Sequence, residues 1–270
     1  MAVFQHILWG YELTYPDNWV HRTLGDVEGF APVEAALDDN YQGEQNGHLL
    51  VRAEWNGLLQ DLQPLWNQHI GLTAGMLGAK NVGAAPWAMG GAQGMEAEIA
   101  LPKSKNQRLW AGLLGRGALV LHFMVLHTLS DRAWFEPLFT NLISSLRFPV
   151  SLADGLARDA SGLPLPPDYV PTPPAELVSD IADPHNWRAY RGASAIGALE
   201  AFFLREAQHN EWEIESFEPF PGDADLGFAR FELRHKKTAL TLGLLPYGED
   251  RVNSTSPANL VIRIKDKKPL

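Results

Sequence analysis

Cysteine is absent from the 270 residues. That excludes disulfides, thiol nucleophiles, thiolate zinc sites and iron–sulfur clusters together. A surplus of basic charge is also missing. The formal charge is −10 and divides as −5 over residues 1–148, −2 over 149–175 and −3 over 176–270. No segment is strongly basic, so a nucleic-acid partner is not expected. The basic cluster Lys265–Lys268 reads as part of a solvated tail. One long apolar run, Leu109–Leu129, has the length of a bilayer span, but Arg116 sits inside it between Gly115 and Gly117. His122 and His127 add further cost in hydrocarbon, so no membrane span is expected. The opening MAVFQHILWGYELTYP carries neither a basic n-region nor a small-residue cleavage site, and the expectation is a soluble cytoplasmic protein.

What the chain does hold is a globular composition, 46% apolar and 20% charged, with length for two ordinary domains and a substantial core. Its organising stretch is Arg108–Phe148. Arg108–Leu114 and Ala118–Leu129 read as a hairpin of buried strands around the Gly115-Arg116-Gly117 break. After it, Trp134, Phe135, Leu138, Phe139, Leu142, Ile143 and Leu146 recur at helical spacing and make one apolar stripe. Ser130 or Asp131 can cap that helix. Pro137 is awkward beyond a first turn, so either the first turn is separate or the regular helix begins near Glu136.

Elsewhere in the first half, Val3–Trp9 and Tyr11–Tyr15 read as an opening hairpin and Leu49–Trp55 as a strand. Leu58–Ile70 places Leu58, Leu62, Leu65, Trp66 and Ile70 on one helical face. Gly71–Gly94, with seven glycines and six alanines, reads as a surface loop leading into a strand at Met95–Leu101. Strands followed by helices layered on them imply an α+β arrangement with an antiparallel sheet. Residues 149–175 carry seven prolines and read as a semi-rigid linker. A smaller helix-plus-antiparallel-sheet domain then spans 176–265. It contains a helix over Ala193–Asn210 capped by Ser194, and strands at Trp212–Phe217, Gly227–His235, Thr238–Pro246 and Leu260–Lys265. Residues 266–270 form a basic tail.

Two stretches carry a family resemblance. Gly10-Tyr11-Glu12-Leu13-Thr14-Tyr15-Pro16-Asp17-Asn18-Trp19 resembles the G-Y-x-[IL]-x-Y-P-x-x-W opening of PsbP-like domains, and Ser145-Leu146-Arg147-Phe148 resembles their closing S-[LF]-x-F. These domains share a fold group with the Ran-binding Mog proteins and the DcrB-type proteins, some of which are secretion chaperones. The similarity covers about residues 3–148. It implies an antiparallel sheet flanked by helices, no shared catalytic machinery and work done by binding other proteins. Photosystem-associated members help retain inorganic ions, but no residue here permits that role to be carried over. Residues 176–265 loosely resemble small bacterial domains of unknown role, although Asn210-Glu211-Trp212 stands where their pattern has glycine.

No catalytic pattern survives inspection. Gly78-Ala79-Lys80-Asn81 lacks the hydroxyl residue of a phosphate loop, and Gly90-Gly91-Ala92-Gln93-Gly94 leads into a strand rather than a helix. Gly192-Ala193-Ser194-Ala195-Ile196-Gly197 misses the nucleophile elbow by one position. The pairs Glu96/Glu98 and Glu213/Glu215 lie two apart and read as solvated strand faces. His122 and His127 point to opposite faces of one strand, and no histidine spacing along the chain offers a chelating pair. No metal and no cofactor are expected. Met76, Leu77, Trp87 and Met89 in the Gly/Ala-rich stretch are the candidate binding residues, as apolar side chains on an adaptable surface. The reading is therefore a non-catalytic protein-binding adaptor, assembly factor or chaperone. A carrier of a small apolar ligand, in a sheet–helix cavity lined by Trp66, Trp110, Trp134 and Phe135, is the alternative. A hydrolase without a recognisable motif comes third.

Overall fold

The computed structural model describes the chain except for residues 39–44, 77, 80–82, 102–105, 153–154, 180, 182, 223–225, 249–251 and 266–270, and the side chains of 72–74 and 76. The described chain is α+β, with antiparallel ladders throughout. It divides into two units: Met1–Gln5 with Tyr11–Phe148, and His6–Gly10 with Pro149–Leu270.

In unit 1 the strands are β1 (Ala2–His6), β2 (Tyr11–Tyr15), β3 (Val20–Leu24), β4 (Val27–Ala31) and β5 (His48–Trp55). They are followed by helix α1 (Leu62–Met76), β6 (Ala85–Met89), β7 (Ala92–Ala100), β8 (Gln107–Arg116), β9 (Leu119–Thr128) and helix α2 (Arg132–Ser144). β1 and β2 pair as the expected hairpin, and the other strands form a seven-stranded sheet in the order β3-β4-β5-β9-β8-β7-β6. β8 and β9 are the central hairpin read from Leu109–Leu129, turning at Gly117 with φ +58°. β-Alternation gives this sheet two different faces. One packs Leu65, Trp66 and Ile70 of α1 on Ile99, Leu109, Ala111, Leu113 and Val120. The other carries Leu121, Phe123 and Val125 beneath α2, where Phe135 is fully buried and stacked on Trp19 at 5.6 Å. Each such buried aromatic or aliphatic side chain contributes about 1.5–3 kcal/mol.

Three local expectations change. α1 starts at Leu62 rather than Leu58, because the Asn56 side chain accepts the Gln60 N–H (2.9 Å) and donates to its carbonyl (2.8 Å), holding a turn there. Pro64 then falls in the first turn, where a missing N–H costs nothing. α2 runs unbroken through Pro137, which sits exposed on the solvent side. The Gly71–Gly94 stretch is no loop overall: its start completes α1 and its end is the β6–β7 hairpin. Gly90 and Gly91, both at positive φ (58° and 83°), supply the turn that a tight hairpin demands.

The two edges of the sheet differ. β3 carries His21, whose ring lies 2.6 Å from Glu28, and Arg22, which donates to Asp38 at 2.6 Å and to the Leu37 carbonyl at 3.1 Å. β6 carries Ala85, Pro86, Trp87, Ala88 and Met89, with no charge.

Unit 2 contains β10 (Val170–Thr172), β11 (Trp187–Arg191), helix α3 (Ile196–His209), β12 (Glu213–Glu218), β13 (Ala229–His235), β14 (Thr238–Pro246) and β15 (Ala258–Ile264), in the sheet order β10-β11-β15-β14-β13-β12. Leu199, Phe202 and Phe203 of α3 pack on Phe231, Leu233, Leu242, Leu260 and Ile262. The helix N-terminus is held by loop carbonyls, with the Ile196 N–H on Ser256 and the Gly197 N–H on Ser254, and not by the Ser194 hydroxyl. The proline-rich stretch 149–175, whose composition suggests a linker, contributes Leu163, Leu165 and Tyr169 to this core. Asp159 explains why. Its buried carboxylate accepts the N–H groups of Ser161 (2.8 Å) and Leu163 (3.0 Å) and pairs with Arg188 (3.1 Å), so the prolines flank an organised turn. The tail 266–270 lies outside the described residues.

Candidate functional site

Two features of unit 1 stand apart from the core. They lie on opposite faces of the seven-stranded sheet.

On the α2 face, Trp87 of edge strand β6 meets Trp110 edge-on at 5.2 Å and 87°, and Phe123 at 5.5 Å and 84°. Trp110 continues to Phe139 of α2 at 5.9 Å. The approach is possible because Gly112 lies beneath: a Cβ there would fall 2.7 Å from both indoles. Trp87, Met89, Trp110 and Phe139 all remain half-buried, a strip of aromatic surface reaching solvent. The Trp110 N–H donates to Glu96 at 3.0 Å. Around the strip run Glu98, Arg108, Arg132 and Glu136, linked as ion pairs at 2.7–4.0 Å.

Of the four binding residues read from the sequence, Trp87 and Met89 therefore share one strand and one face. Met76 ends α1, and Leu77 lies outside the described residues. The aromatic residues proposed to line one cavity separate. Trp66 packs with Leu109 and Ala111 on the α1 face, whereas Trp110, between those two residues in β8, points to the α2 face with Trp134 and Phe135 nearby. No single sheet–helix cavity can be lined by all of them.

On the α1 face, Glu54 of β5, His122 of β9 and His69 of α1 converge. Glu54 Oε2 lies 3.1 Å from His122 Nε2 and 3.1 Å from His69 Nε2. The two imidazoles meet edge-on with centroids 4.7 Å apart. The register places Glu54 opposite Val120 and Arg52 opposite His122, so Glu54 and His122 are diagonal neighbours on one face. His69 is brought over them because Leu65, Trp66 and Ile70 anchor α1 to the same face. Burial alone would raise the Glu54 carboxyl. The hydrogen bond from His122, and the neighbouring His122, His69 and Arg52, outweigh it and hold the group below its ordinary value. Burial, with His122 and Arg52, lowers His69, and Glu54 opposes that. Arg52 itself is held by Asp26 at 2.6 Å. Among the described residues, Glu54, His69 and His122 are the group of three whose ligand atoms lie close enough to hold a metal ion, all within 4.8 Å of one another.

His122 and His127 do face opposite ways, His127 lying 5.7 Å from the Phe135 ring. Sequence spacing could not have found the partners of His122, because Glu54 and His69 come from other elements. The trace in the sequence was His122, an imidazole inside the apolar run Leu109–Leu129.

No family model matches the chain, and no curated protein matches its sequence. Among solved structures, the chain is similar to cyanobacterial PsbP (CyanoP) from Synechocystis at 14% identity and TM-score 0.42, covering 55% of this chain and 92% of that one. It is also similar to the Ran-binding protein Mog1p of Saccharomyces cerevisiae, at 9% identity and TM-score 0.38, covering 54% and 94%. A third is LpqN of Mycobacterium tuberculosis, involved in cell envelope biogenesis, at 13% identity and TM-score 0.36, covering 52% and 83%. At such scores the likeness carries no argument. The fold group it names, PsbP- and Mog-like α+β, is the one that residues 10–19 and 145–148 resemble.

Proposed function

We propose that this chain is a non-catalytic binding protein that takes an extended apolar segment of another protein along β6, in the manner of an adaptor, assembly factor or chaperone. The observation that carries this reading is the half-buried aromatic strip Trp87–Trp110–Phe139 at an uncharged sheet edge. Pro86 has no N–H to give β7, so an antiparallel ladder turns that position outward and with it Ala88. A docked strand would thus find the Ala88 N–H and the carbonyls of Pro86 and Ala88, with few hydrogen bonds to gain. Most of its affinity would come from apolar contact with the indoles. The ion pairs around the strip would then set register and exclude charged segments.

The test is capture of partners by the native chain and by Trp87→Ala and Met89→Ala, with hydrogen exchange on the captured complex. The expected result is loss of partner from both variants at unchanged far-UV circular dichroism, together with new protection of the Ala88 amide. An unchanged partner set, or protection confined to other strands, overturns the reading.

A further inference from the structure

We propose that Glu54, His69 and His122 form a binding site for one zinc-class divalent ion, independent of the aromatic strip and on the opposite face of the sheet. The donor set is two imidazoles and one carboxylate, the set that suits zinc where a position is left open for water or another ligand. The geometry is close to ready. Ligands about 2.0–2.2 Å from a tetrahedral ion stand roughly 3.3–3.5 Å from each other. Both imidazole Nε2 atoms already lie 3.1 Å from the same Glu54 oxygen, and all the donor atoms fall within 4.8 Å. To receive an ion, each neutral imidazole would keep its proton on Nδ1 and present the Nε2 lone pair beside the Glu54 carboxylate.

The scaffold also favours a fixed site. Glu54 and His122 stand on adjacent central strands, and His69 stands on a helix whose neighbours Leu65, Trp66 and Ile70 are buried. The His122 side chain is 7% exposed, whereas Glu54 and His69 are 22% and 23% exposed. The inner ligand is thus shielded, and the outer two border solvent, from which the fourth ligand would come. Arg52 is a neighbouring cation that works against an ion here, and Asp26 draws its guanidinium into an ion pair.

The experiment uses the untagged full-length chain, stripped with chelator and titrated at neutral pH. Zn²⁺ binding is read by calorimetry and Co²⁺ binding by visible absorption. The expected result is one ion per chain, with Co²⁺ giving the intense bands of a four-coordinate site. His69→Ala and Glu54→Gln should each weaken binding by more than about 100-fold, since even outer-shell partners are worth about 10–100-fold. His209→Ala, at an exposed position of α3, should leave it unchanged. Thermal melts of the stripped variants separate loss of a ligand from loss of fold, and Glu54→Gln keeps the inference testable if an alanine variant unfolds. No binding by the native chain overturns the site, as does equal binding by His69→Ala and His209→Ala.

Discussion

The buried carboxylates of unit 2 and the Glu54 carboxylate of unit 1 look alike in sequence, but the structure uses them differently. Asp159 is closed in by two backbone N–H groups and Arg188. Glu206 accepts from Arg205 at 2.8 Å and from Ser151 at 2.9 Å. Glu200 accepts the Phe220 N–H at 2.6 Å. The partners named are backbone amides, guanidinium groups and a hydroxyl, and these acids hold loops and a helix in place. Glu54 instead faces two imidazoles, groups that can give up a proton and turn a lone pair toward an ion. What a buried acid does is decided by whether its partners can change state.

The largest effect should separate the two kinds. Asp159→Ala removes the anion that Arg188 and two amides were placed to meet and is expected to cost about 3–5 kcal/mol of unit 2 stability, read by chemical denaturation. A loss under about 1 kcal/mol would break the distinction. Next comes Tyr169→Phe. The Tyr169 hydroxyl donates to the Ala258 carbonyl at 2.6 Å, and its loss should cost about 1–1.5 kcal/mol. Glu54→Gln keeps a hydrogen-bonding side chain at a part-exposed position, so about 1 kcal/mol or less is expected in metal-free solution. A cost equal to that of Asp159→Ala would make the Glu54 cluster structural.

The smallest effect is a pH slope. Burial holds His48 below its ordinary value of 6.5, against the opposing hydrogen bond to the Asn46 carbonyl. The unfolded chain therefore binds more protons there than the folded one. Stability is full above 6.5 and falls as pH drops through the window beneath it. His48→Gln should flatten that fall in melts run from neutral to mildly acid pH, and an unchanged slope would assign it to other groups.

Much of unit 1 was legible because its strands alternate and its helix stripe is wide. The two stretches that carry the family resemblance prove to be one clamp. Glu12 and Arg147 exchange backbone hydrogen bonds at 3.0 and 3.1 Å, and Ser145 Oγ accepts the Thr14 N–H at 2.7 Å. They are readable because folding needs them, which is also why they are silent on function. Asp159 shows the opposite case, since one acid organises a turn inside a stretch whose prolines suggest a linker. β6 was hidden among glycines and alanines, whose β-propensity is low. The Glu54–His69–His122 cluster was hidden because its members meet only through the β5–β9 ladder and the docking of α1. Trp87 and Met89 could be picked out as apolar residues among glycines and alanines, but their sharing of one strand face could not.

The unlike margins of the seven-stranded sheet have an outcome for assembly. At β3, tethered ionic side chains discourage any further neighbour, whereas β6 offers apolar side chains and an outward amide. In the proposed reading a segment docks on the β6 flank, and the β3 flank of the same sheet does not offer a second place of that kind. One docked segment per seven-stranded sheet is the stoichiometry that the proposed binding along β6 expects.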